Sequence, residues 1–212
     1  REIHAATNFQ LRWAPYMLAL QDALEQGLLG ETYELEVKVN TFTPWANWTF
    51  LEKAPRMEMV YHSIHYLDFI RLLWGEPLAV KAHSINDPSS LKLESTRSTV
   101  VLDYGKQRRA VVQTFHNHMA PARHGESYCR IEGTRGAMWV QMGLNLNYPR
   151  GDRDALEIWR SGDLDWTDIE PAGSWFPDAF IGPMAAMMRW ENGLETPSTE
   201  VHDSLRTMAL VE

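Results

Sequence analysis

Between Ala14 and Leu29 the apolar positions Tyr16, Met17, Leu20, Leu24 and Leu28 recur at the three-to-four-residue interval of a helix with one buried face. Pro15 suits its first turn and Gly30 its C-terminal stop. From Thr32 the interval drops to two: Tyr33, Leu35, Val37 and Val39 alternate with polar residues, the pattern of a half-buried strand. An irregular stretch, "TPWANWTFLEKAPR", leads to a second helical pattern from Met57 to Trp74, which Gly75 and Pro77 terminate. Strand spacing then takes over. "LAVKAHSI" is followed by "RSTVVLDY" and "RAVVQTFHNH" around the turn "GKQRR", by "ESYCRIEG" and "GAMWVQMG" around "GTRG", and by "ALEIWRS" and "DWTDIE" with "GD" in the turn. "PDAFIGPMAAMMRWENG" returns to helical spacing. "STEVHDSLRTMALVE", with Ser198 or Thr199 as the capping residue, runs as a helix to the last position.

Strands joined by hairpins pair antiparallel, and helices grouped toward the two ends cover one layer. The expected class is therefore α+β: an open, mostly antiparallel sheet of about six to eight strands with helices packed on one face. The pattern opens without an obvious first element and stops inside a helix, so both ends read as cut. No internal repeat or low-complexity tract is present.

Composition narrows the function classes. The chain has 212 residues, 44% hydrophobic and 23% charged, enough for a sizeable core. A net charge of −8 argues against a nucleic-acid surface, which needs clustered Lys and Arg. "KQRR" is the one basic cluster and reads as a hairpin turn. No apolar run approaches 18 residues and the start lacks a signal-peptide apolar region, so no membrane span is expected. The single cysteine, Cys129, rules out an intramolecular disulfide and a Cys-based zinc site, and fits a reducing, cytoplasmic setting. No G-x-G-x-x-G, P-loop, H-E-x-x-H or G-x-S-x-G occurs. "GTRGA" joins two strands and cannot supply a helix N-terminus to a pyrophosphate.

The second helical pattern carries the candidate chemistry. On an unbroken helix Glu58, His62 and His65 form one stripe, and Tyr61, His65 and Asp68 its neighbour. His65 suits general acid–base work near neutral pH, with Asp68 one turn on to orient its ring. Tyr61 and His62 could hydrogen-bond a polyol. The plainer alternative has His62 in solvent and the His65–Asp68 pair tying the helix to a loop. No third ligand lies near in sequence, so a metal is not expected. A second group, "HNHMAPARHGESY", puts His116 and His118 two apart, on one face if the strand continues, with Arg123 and His124 following. Nine tryptophans are many for this length; Trp13, Trp45, Trp48 and Trp175 fall in loop-like contexts, where indoles either line a pocket or plug gaps beneath a sheet.

"NFQLRWAPYMLALQDALEQGLLGE", "HSIHYLDFIRLLWGEP", the turn "EGTRGAM" and the closing "DSLRTMALVE" together resemble the C-terminal domain of the Gfo/Idh/MocA oxidoreductases, glucose–fructose oxidoreductase and inositol dehydrogenase among them. The resemblance covers essentially the whole chain. It implies a dihydrodipicolinate-reductase-like C-terminal domain over residues 1–212, for substrate binding and oligomerisation. It also implies that a dinucleotide-binding domain of roughly 120 residues is absent from this chain. NAD or NADP would belong to that absent half, and the isolated chain is expected to be inactive. The implied substrate is a sugar, polyol or related hydroxy compound, with His65 as catalytic acid–base group and Tyr61, His62, Arg12, Trp45, Trp48 and His118 as substrate contacts. A homodimer or larger assembly through the open sheet face is also implied. Where typical dehydrogenases of the family carry an aspartate four residues before the histidine, this chain has Tyr61. That departure keeps a second reading open: a non-catalytic assembly or ligand-binding module.

Overall fold

The computed structural model describes residues 3–90, 92–118, 124–143 and 153–212. Eight strands form one sheet: β1 (Thr32–Asn40), β2 (Ala79–Ile85), β3 (Arg97–Asp103), β4 (Arg109–Phe115), β5 (Glu126–Gly133), β6 (Gly136–Gln141), β7 (Ala155–Arg160) and β8 (Thr167–Ile169). Their spatial order is β2-β3-β4-β1-β5-β6-β7-β8. The three hairpins expected from the sequence pair as read, and every neighbouring pair is antiparallel except β1 with β4. β1 is thus the central strand, inserted between two later hairpins. Local alternation carries no information on that placement.

Register aligns one row across the sheet: Val100, Val112, Val37, Cys129, Val140 and Leu156 are successive cross-strand partners. Each is at most 1% exposed. The row is covered by α1 (Pro15–Glu25) and α2 (Ile64–Trp74), whose buried residues include Tyr16, Met17 and Leu20 on one and Ile64, Leu67 and Ile70 on the other. Side chains of this size contribute about 1.5–3 kcal/mol each on full burial. α2 ends at Gly75, whose φ of 76° a side chain would resist. Two further helices, α3 (Ile181–Glu191) and α4 (Val201–Val211), complete the helical layer. At Gly182 a Cβ would lie 2.1 Å from Trp13 Cγ, so α3 begins in direct contact with the 3₁₀ turn Gln10–Trp13.

Among the described residues, no element covers the opposite face of the sheet. Its rows carry cross-strand ion pairs: Arg109–Glu34 at 2.7 Å, Arg130–Glu36 at 3.0 Å and Lys38–Glu126 at 2.6 Å. These stand among half-buried Val111, Tyr128 and Trp139. The face is therefore mixed in character rather than apolar.

Two terminal details differ from expectation. The first helix ends at Glu25, and its chain reversal uses both Gly27 and Gly30 at positive φ. α4 is capped by Glu200, whose carboxylate accepts from the Asp203 backbone N–H at 2.9 Å, not by Ser198 or Thr199. No helix among the described residues is long and apolar enough to cross a membrane.

Candidate functional site: a histidine-lined cavity beneath the aromatic 175–180 loop

The helix expected as continuous from Met57 to Trp74 is interrupted. Residues Met59–Ser63 form a π turn, in which the Ile64 N–H reaches the Met59 carbonyl five residues back. One inserted residue rotates everything before it relative to α2. The single stripe of Glu58, His62 and His65 is broken as a result. Glu58 turns inward and is fully buried, and Ser63, five residues on, donates to its carboxylate at 2.9 Å. Tyr61 stays 42% exposed, its ring 6.0 Å from Phe50.

The turn brings Tyr61, His62 and His65 to one cavity of about 250 Å³, lined also by Gln10, Leu11, Tyr66, Trp175, Phe176 and Phe180. Gln10 and Leu11 come from the 3₁₀ turn before α1. The three aromatics come from the connection between β8 and α3. That connection is tied down at Trp175, whose backbone N–H donates to Asp154 at 2.6 Å and whose indole N–H donates to the Gly143 carbonyl at 2.8 Å. The Phe176–Pro177 peptide is cis. One wall therefore offers imidazoles and a phenol, and the other flat apolar rings, a combination that suits a hydroxylated molecule with a C–H face.

Burial lowers the basicity of both cavity histidines. His62 is held well below the ordinary imidazole range, first by desolvation and then by His116 and His65 nearby. His65 is lowered by desolvation, against an opposing pull from Asp68. Nδ1 of each is buried without a hydrogen-bond partner among the described residues. Both rings are thus neutral at pH 7 and able to accept a proton.

Several expected contacts lie elsewhere. Arg12, 4% exposed, is no part of the cavity wall: it makes a two-pronged pair with Asp68, Nε to Oδ2 and Nη2 to Oδ1, both at 2.7 Å. It also donates to Asp203 at 2.8 Å and to the Ser198 carbonyl at 3.0 Å. Thr207 Oγ1 donates to Asp68 at 2.8 Å, and Arg71 pairs with Asp203. This network clamps α4 and the 3₁₀ turn to α2. It occupies both Asp68 oxygens, so Asp68 is not the partner that orients His65. Trp45 is buried, donating its indole N–H to Asn117 at 2.7 Å with its ring 4.8 Å from that of His62. It wedges the site from behind. Trp48, 42% exposed, packs on the outside of Trp45.

His116 and His118 do not share a face. β4 ends at Phe115, and beyond it the His116 ring lies tilted against that of His62, centroids 4.3 Å apart, while His118 lies beside Phe115, on whose ring Arg97 rests. Arg123 falls outside the described residues, and the His124 backbone carbonyl accepts from Asn40 at 3.3 Å. Gln10, Tyr66, Phe176 and Phe180 were not anticipated; the aromatic run "SWFPDAF" was the available signal, beyond its Trp175. No group of three His, Cys, Asp or Glu able to hold a metal ion occurs among the described residues.

Solved structures with this fold are numerous in kind. An oxidoreductase from Agrobacterium radiobacter, in complex with NAD+, L-tartaric acid and magnesium, superposes with a TM-score of 0.75 at 22% identity, over 99% of this chain and 61% of that one. An aldose–aldose oxidoreductase from Caulobacter crescentus complexed with glycerol gives 0.77 at 15% identity, over 98% and 59%. A putative NADPH-dependent oxidoreductase from Desulfitobacterium hafniense gives 0.77 at 15%, over 96% and 59%. The chain spans about 60% of the length of these structures. Comparison with curated proteins finds no match. The model of the GFO/IDH/MocA C-terminal domain matches residues 17–139, and the chain belongs to that family.

Proposed function

We propose that residues 1–212 form the substrate-binding domain of an NAD(P)-dependent oxidoreductase acting on a sugar, polyol or related hydroxy compound. The observation that carries this reading is the cavity in which neutral His65 and His62 face an aromatic wall. The structural neighbours support it, one being in complex with NAD+ and L-tartaric acid and another with glycerol. His65 serves as the acid–base group at the substrate hydroxyl. Tyr61, His62 and Gln10 hold neighbouring hydroxyls, and Trp175 and Phe176 cover the carbon skeleton. Arg12, Trp45 and Trp48 act from outside the cavity.

The described residues of this chain do not fit a dinucleotide. Of the connections from strand to helix, residues 41–56 contain no glycine and the stretch from Glu170 to Phe180 contains only Gly173. A pyrophosphate turn needs closely spaced glycines at a helix N-terminus. NAD or NADP is accordingly assigned to a part of the protein outside residues 1–212, and the chain by itself to binding without turnover. Association through the uncovered sheet face belongs to the same reading.

The test is His65→Ala in the complete protein, with NAD(P)H formation followed over a panel of sugars and polyols. A fall of about 100-fold or more in kcat is expected. Survival of turnover within about threefold would remove His65 from the acid–base role. A second reading, a binding module without turnover, is favoured by one observation: Asp68 is committed to Arg12 and Thr207. It predicts ligand binding with no NAD(P)H formed by the wild-type protein.

A further inference from the structure

The aromatic wall of the cavity is held by carboxylates as well as by its packing on the core. Asp154 stands immediately before β7 and Gly143 two residues beyond β6, at the same end of the sheet. Asp154 Oδ1 accepts the Gly143 N–H at 2.7 Å and Oδ2 accepts the Trp175 N–H at 2.6 Å, while the Trp175 indole N–H donates to the Gly143 carbonyl at 2.8 Å. These bonds close a triangle between the sheet and the connection to α3. One residue earlier, the Ser174 N–H donates to Asp178 Oδ2 at 2.8 Å, and the Ser174 hydroxyl donates to the Phe176 carbonyl at 2.7 Å. At Gly173, with φ at 106°, a Cβ would lie 2.6 Å from Asp178 Oδ2, so this turn is as close as glycine permits. Among the described residues, neither Asp154 nor Asp178 pairs with a Lys or Arg; both are directed at backbone N–H groups. The segment they hold supplies Trp175, Phe176 and Phe180 to the cavity.

Asp154 is not placed where its charge favours folding. Burial raises its carboxyl above the ordinary range, the N–H donors of Gly143 and Trp175 draw it back, and Asp178 raises it again. The net rise means that the fold disfavours the ionised form, so at pH 7 the charge lowers stability. In return the carboxylate fixes geometry, because N–H bonds to a charged acceptor are short and strong. Resting on the oxidoreductase reading, we propose that Asp154 is a positioning residue of the cavity: it holds Trp175, and with it Phe176 and Phe180, over His65, and so sets how tightly a sugar or polyol is bound. Asp154 does not line the cavity and acts only through the rings. Those rings meet the C–H skeleton of a ligand, which changes little between ground state and transition state. Their loss therefore falls on KM, whereas loss of the acid–base group at His65 falls on kcat.

The experiment is Asp154→Ala, read in two ways. In the 212-residue chain, diethyl pyrocarbonate modifies unprotonated imidazole nitrogens, and peptide mass spectrometry follows each histidine separately. Labelling of His65 is expected to quicken about fivefold or more, with exposed His83 as reference and His116, 3% exposed behind the cavity, remaining slow. Unchanged labelling of His65 overturns the proposal. Equal quickening of His65 and His116 marks a general loosening of the fold and overturns it too. In the complete protein, KM for the best sugar or polyol of the panel should rise about tenfold with kcat held within about threefold. A fall in kcat at unchanged KM marks a smaller folded fraction, a merely structural role, and overturns the proposal. If Asp154→Ala does not fold, Asp154→Asn replaces it. It keeps the size and loses one acceptor oxygen, so His65 labelling and KM should both rise about threefold. A variant that moves neither, or that also fails to fold, overturns the proposal. The labelling needs neither cofactor nor substrate, so its failure leaves the oxidoreductase reading standing. Absence of wild-type turnover removes that reading, and the labelling alone then decides whether Asp154 holds the wall.

Discussion

Replacing Arg12 by Met should cost the protein stability before it costs anything else. The guanidinium and Asp68 are 4% and 0% exposed and share two hydrogen bonds of 2.7 Å. Without Arg12, Asp68 is left in the interior with the Thr207 hydroxyl and, 3.9 Å away, an Arg71 guanidinium that already pairs with Asp203 and Glu76. Asp203 keeps Arg71 and is the lesser casualty. Breaking a buried pair from one side costs about 3–5 kcal/mol, because an uncompensated charge remains. For a chain of this length, each kcal/mol lowers the melting temperature by about 2–4 °C, so a drop of about 10 °C is expected. Circular dichroism melts and urea titrations of wild type, Arg12→Met, Asp68→Asn and the double variant Arg12→Met/Asp68→Asn give the coupling. The double variant should recover at least about half of the loss, since it buries no charge. A single variant melting within about 2 °C of wild type would refute the reasoning. If that variant also lost affinity for polyols while still folded, Arg12 would return to the role of substrate contact.

Two further outcomes follow from the buried titratable groups. His62 and His65 both have folded-state values below the ordinary 6.5, so the unfolded chain binds their protons first as pH falls. Stability is then lost as pH drops through about 6.5, by up to about 1.4 kcal/mol per unit for each group, and His62→Gln should flatten that fall in urea midpoints measured between about pH 7.5 and about pH 5. An unchanged slope would show that His62 titrates normally in the fold. The Cys129 thiol, at the centre of the sheet's buried row, is pushed up to about 12 by burial and, to a lesser degree, by Glu36. At pH 8 its thiolate fraction is about 10⁻⁴, so a thiol reagent should leave the native protein unmodified and react stoichiometrically in urea; prompt native labelling would contradict the placement of β5.

The sequence by itself determined the elements. Val37 and Val39 alternating with Glu36 and Lys38, or Leu20 following Tyr16 by one helical turn, reflect local rules, since a side chain's direction is set by its own backbone. The three hairpins and the α+β class were legible for the same reason. The tertiary structure decided what depends on residues far apart in the chain. β1 pairs parallel with β4, more than sixty residues later, because only the complete sheet shows which edge its apolar row completes. Arg12 looks like a ligand group until Asp68 and Asp203, 56 and 191 positions away, consume its donors. The π turn hides in a sequence whose apolar spacing suits an unbroken helix, because an inserted residue is stabilised by what it packs against, here the contact of Ser63 with Thr114. The same turn carries Glu58 from the expected stripe to a place behind the cavity, beside a histidine from another element. Charge partners and cavities are made by three-dimensional proximity, and no periodicity in one dimension encodes them.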